Sequence, residues 1–115
     1  MTDTLVVLVL TRDKVLVDEL VRKLEAQNIS VYGTTSVEKA IASMTSQQPR
    51  VLVADPGTKE CYRLLEESSG WKSITVVAIA ESDKTAEKAL QMGIKDIIHS
   101  GDVAAVIAAV LSRVR

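Results

Sequence analysis

Four apolar residues, Val51, Leu52, Val53 and Ala54, run directly into the carboxylate of Asp55 and stop against Pro56. No other stretch restricts the fold of this chain as strongly. A continuous apolar run rich in β-branched residues lacks the alternation of a half-exposed strand, so it predicts a strand covered on both faces. Proline has no N–H to give to a ladder and ends it. Strands covered on both faces belong to parallel α/β sheets, in which crossing helices provide the cover. Asp55 is then expected at the carboxyl edge of a central strand, where open sheets of this kind gather their ligands and chemistry.

The rest of the sequence supplies matching units. Leu5 to Leu10 reads as a second buried strand and leads into Thr11, Arg12, Asp13 and Lys14, with Asp13 placed to cap a helix. From Lys14 to Gln27, Leu16, Val17, Leu20, Val21 and Leu24 recur at helical spacing against a charged face. Ile29 to Tyr32 predicts a short strand, and Thr35 with Glu38 has the spacing of a capping box for a helix to about Thr45. Lys59 to Ser68 is helical in pattern through Cys61, Leu64 and Leu65 and is ended by Ser69 and Gly70. Ile74 to Ala80 is the fourth buried strand, and Ser82 or Asp83 can cap a weaker helix that closes before Gly93. Lys95 to His99 forms a last short strand through Ile97 and Ile98, and Asp102 opens a final helix to about Val114. Five strands alternating with five helices imply right-handed crossovers and a doubly wound parallel α/β sheet.

A chain of 115 residues, 47% apolar and 25% charged, has the length and composition of one globular domain, which needs neither metal nor disulfide to hold its core. Phenylalanine is absent, so that core is built from Val, Leu, Ile and Ala. A net charge of −1 gives no electrostatic case for nucleic acid or an anionic membrane as partner. The start Met1, Thr2, Asp3, Thr4 lacks the basic region of a secretory signal, and no apolar stretch approaches the ~20 residues of a membrane span. The lone Cys61 cannot make an internal disulfide, which points to a reducing cytoplasm.

Several chemistries are excluded by the turn after the first strand. Thr11 to Lys14 contains no glycine, so it cannot bring backbone amides up to a phosphate as nucleotide and flavin loops do. No cysteine follows that strand, and no Ser/His/Asp set or metal-spaced His/Cys cluster is present. The expectation is a module that binds or signals, not an enzyme, with no cofactor and no metal.

The Asp55 strand, the length of each unit, and Gly93, Ile94, Lys95 and Asp96 before the last strand carry a resemblance that covers the whole chain. The sequence resembles the receiver domain of bacterial two-component response regulators, the CheY-like family. The resemblance implies a five-stranded flavodoxin-like sheet in one domain over residues 1–115, which can stand before an output domain in a longer protein. It also implies a site. A working receiver forms an acyl phosphate on the central aspartate, here Asp55, and needs a divalent cation held by an acidic pair after the first strand, a Ser/Thr hydroxyl after the fourth and a Lys after the fifth. In this sequence the acidic pair reads as Thr11 and Arg12, with Asp13 one residue later at a position suited to a helix cap. The hydroxyl position reads as Ala80, the lysine position as Ser100, and the aromatic that senses the phosphate as Ile97. Only Asp55 is in place, and the loop after it is shorter than the family's.

For Arg12 two readings stand: its guanidinium fills the vacant cation site and pairs with Asp55, or it points to solvent. His99 is expected neutral and structural, Cys61 buried and inert, and Trp71 a lid over the sheet edge. The final helix carries the one positive signal. Val103, Val106, Ile107, Val110 and Val114 fall on one face, Ala104, Ala105, Ala108, Ala109 and Leu111 extend the apolar surface around it, and no charge lies between Asp102 and Arg113. A helix on a sheet normally shows solvent a charged side, and one that does not invites a second partner. These residues, with Ile97 of the last strand and the helix before it, are the expected surface for a protein partner or a homodimer. The function expected is a degenerate receiver that works by protein contact without phosphorylation. The alternative is a true phosphoacceptor that uses Asp55 with Mg²⁺.

Overall fold

The computed structural model describes residues 6–47, 49–54, 75–80, 82–91, 96–99 and 102–114. In chain order the elements are β1 (Val7–Leu10), α1 (Lys14–Glu25), β2 (Val31–Thr34), α2 (Val37–Gln47), β3 (Val51–Ala54), β4 (Thr75–Ala80), α3 (Asp83–Gln91), β5 (Asp96–His99) and α4 (Val103–Val114). The five strands form one sheet in the order β2-β1-β3-β4-β5 with every pair parallel. This is the doubly wound α/β sheet that the buried runs imply. The expected helix at Lys59–Ser68, with Cys61, and the expected lid Trp71 lie outside the described residues.

Side chains alternate across a strand, and the alternation sorts the core into two layers. Val7, Val9, Val51, Val53, Val77 and Ile79 face Val17, Leu20 and Leu24 of α1 and Val106 and Val110 of α4. Leu8, Leu10, Leu52, Ala54 and Ala78 face Ala40 of α2 and Ala89 of α3. Where the strands offer mid-sized valines α1 brings the leucines Leu20 and Leu24, and where the strands offer leucines α2 and α3 bring the alanines Ala40 and Ala89. Close packing without phenylalanine is reached by this exchange of volume between layers.

The turns explain where the elements begin. Asp13 Oδ1 accepts from the amides of Val15 (3.0 Å) and Leu16 (3.3 Å) and caps α1. At the other end Asn28 takes a left-handed conformation, φ 62°. Its N–H donates to Glu25 O and that of Ile29 to Leu24 O, a closure that leaves Ile29 packed against the same layer as Leu24. Ile29 therefore belongs to the helix stop, and β2 runs over Val31–Thr34 instead of the expected Ile29–Tyr32. The cap of α2 also shifts by one residue. Thr34 Oγ1 accepts from Ser36 N (3.0 Å), and Ser36 Oγ in turn accepts from Lys39 N (3.3 Å), so Ser36 and not Thr35 opens the helix, which continues to Gln47. Of the two residues that could cap α3, Ser82 does so, accepting from Thr85 N at 3.2 Å, and Asp102 caps α4 through Ala105 N at 3.1 Å.

Gly33 is the position where α1 comes closest to the sheet. A Cβ there would lie 2.5 Å from both Val17 Cγ1 and Val21 Cγ2, so only glycine admits the helix at this height.

Candidate functional site

In the order β2-β1-β3-β4-β5 the chain winds outward in opposite directions from β1 and β3, and their carboxyl ends mark the switch point where such sheets bind ligands. Leu10 pairs with Ala54 across that point. Thr11 follows β1, and in the sequence Asp55 follows Ala54. Asp55 and Ser100 lie outside the described residues, whereas Thr11, Arg12, Asp13 and Ala80 are described.

Thr11 is buried, 1% exposed, and its hydroxyl is used within the turn. Oγ1 donates to Asp13 O at 3.1 Å and accepts from Asp13 N at 3.0 Å. That pair of bonds folds the backbone so that Asp13 reaches the first amides of α1. Asp13 thus serves as a helix cap, as expected from its place one residue beyond the acidic pair. Arg12 stands between them, exposed, and makes no ion pair with any described residue. Ala80 ends β4, fully buried and paired with His99, and presents a methyl group to the edge where the resemblance calls for a hydroxyl. Among the described residues no group of three or more His, Cys, Asp or Glu is placed to hold a metal ion.

The last helix matches its expected inner face and corrects its outer one. Val106 and Val110 are buried, and Val103, Ile107 and Val114 pack against them. Of the four alanines expected on the surface, Ala104 and Ala108 are exposed, but Ala105 and Ala109 are half-buried and Ala109 packs on the core. Leu111 is half-buried, and Ile97 is half-buried against the opposite layer. The outer strip is therefore narrower than its sequence suggests, because Ala109 lies on the flank of the Val106–Val110 ridge. It consists of Ala104, Ala108 and Ser112, whose hydroxyl donates back to Ala109 O at 2.8 Å.

One contact at this face is not legible in the sequence. Arg113 Nη2 bonds both carboxylate oxygens of Asp96, at 2.9 and 2.7 Å, and ties the end of α4 to the start of β5. The hydrogen bond to Asp96, followed by its charge, raises the Arg113 pKa above the ordinary arginine value. The partners are 17 residues apart in sequence, so only the sheet order could have brought them together. Leu90 of α3, 61% exposed, is a second feature that sequence reasoning misses, although its position beside the buried Ala89 on a short helix is the signal that would find it.

No protein-family model matches the chain, and no curated protein matches it by sequence. Solved structures do match. An orphan response regulator of H. pylori superposes with a TM-score of 0.79 at 18% identity, covering 96% of this chain and 97% of its own. The receiver domain of the Francisella response regulator 1452 gives 0.79 at 19%, covering 92% and 93%. A CheY-like receiver domain protein from Methanospirillum hungatei gives 0.78 at 14%, covering 92% and 90%. The chain has the response-regulator receiver fold. On that fold the ends of β1 and β4 are where the resemblance expects a cation-binding acidic pair and a hydroxyl, and the structure holds Thr11, Arg12 and Ala80 there. Among the described residues, no helix of this receiver fold is long and apolar enough to cross a membrane.

Proposed function

We propose that this receiver fold is a degenerate one, a cytoplasmic module that signals by protein contact and does not use Asp55 as a phosphoacceptor. The observation that carries the reading is the makeup of the two strand ends beside β3. At the end of β1 the hydroxyl of Thr11 is closed into its own turn, and the next residue is the cation Arg12. At the end of β4 the buried residue is Ala80. Phosphoryl transfer is mostly electrostatic positioning, by a metal that neutralises the phosphoryl oxygens and donors that meet the charge as it develops. A guanidinium in place of a carboxylate ligand opposes the metal, and a methyl in place of a hydroxyl gives no donor. The module therefore acts as a binding partner and not as an enzyme, with α4 as its docking face and room for an output domain beside it in a longer chain.

The test is incubation with a small phosphodonor and Mg²⁺, read by intact mass. The expected result is no species heavier by ~80 Da, the mass of one added phosphoryl group. Such a species, lost in Asp55→Asn, would overturn the reading in favour of a working phosphoacceptor.

A further inference from the structure

We draw no further inference here: the strongest candidate, the exposed Arg12 at the carboxyl end of β1 beside the first turn of α1, belongs to the site already described, and no buried, unpartnered polar side chain among the described residues marks a ligand there.

Discussion

Replacing Thr11 by valine removes a hydroxyl and keeps the shape of the side chain, and its cost can be worked out from the turn that the hydroxyl closes. Two hydrogen bonds are lost, both to the backbone of Asp13. They are not equivalent. Asp13 O also accepts from Val17 N at 3.0 Å, so the carbonyl keeps a partner. Asp13 N has no second acceptor among the described residues, and an orphaned donor costs about 1–3 kcal/mol when water cannot replace the lost partner. Asp13 is exposed and Thr11 is buried, so water reaches the amide from one side only and the lower half of that range applies. The added methyl in a buried site recovers up to about 0.8 kcal/mol. Thr11→Val is therefore expected to lose about 1 kcal/mol, a shift of about 4 °C in Tm for a domain of this size. Thr11→Ser, which keeps the hydroxyl, should lose its methyl packing but keep the turn. The assay is urea unfolding of both variants beside wild type, with the slope m held constant as the check that only stability has changed. A Thr11→Val chain as stable as wild type would refute the reasoning, because the hydroxyl would then not be holding the turn.

Gly33→Ala is expected to destabilise by about 1–3 kcal/mol, the usual cost of overpacking, since its Cβ would meet two stiff valine side chains at 2.5 Å. Val21→Ala in the same chain should recover part of the loss in urea melts, and a neutral Gly33→Ala would show that α1 lifts freely from the sheet. Arg113→Gln is expected to lower stability slightly, and less so in high salt because the ion pair with Asp96 is half-exposed. The raised Arg113 pKa fixes the sign with pH: the contribution is present below arginine's ordinary pKa and is lost only as pH rises through the still higher folded-state value. The difference between wild type and Arg113→Gln in urea melts should therefore not fall between neutral pH and about pH 10 through any loss of the arginine's charge.

Much of this fold is legible because its strands are buried on both sides. Val51 to Ala54 and Val7 to Leu10 carry apolar residues at every position, and the pattern has few other solutions than a parallel sheet under helices. Helix starts are equally legible at Asp13 and Asp102, where one acidic side chain precedes an apolar repeat. The misplaced boundaries share a cause. Ile29 looks like the first residue of a strand because it is β-branched, yet it follows Asn28, whose left-handed turn hands Ile29 to the end of α1. Thr35 has capping-box spacing to Glu38, but Thr34, fixed in β2 opposite Leu10, takes the Ser36 amide and moves the helix start along by one. In both cases a neighbouring side chain or φ angle decides, and neither has a periodic signal. The site is legible to the extent that it is one-dimensional: Thr11, Arg12 and Ala80 stand at strand ends that the sequence already locates. The Asp96–Arg113 pair depends on which strand lies under which helix, and no local pattern carries that.

Alanine usage separates α4 from the other helices. Ala40 and Ala89 are fully buried under long strand leucines, so there alanine serves close approach. Ala42 of α2 is exposed, but Glu38 and Lys39 share its face and keep that face solvated. Ala104 and Ala108 are exposed one turn apart, with Ser112 a turn further on and no charge until Arg113. Alanine is the best helix former, so a bare alanine face stabilises the helix by itself, and propensity alone would account for it. Glutamate and lysine nevertheless come close to alanine in propensity and also keep a surface soluble, and the sequence uses both on α1 and α3. What helix formation leaves unexplained is the lack of charge along Ala104, Ala108 and Ser112, and it is on this bare strip that the reading of α4 as a docking face rests.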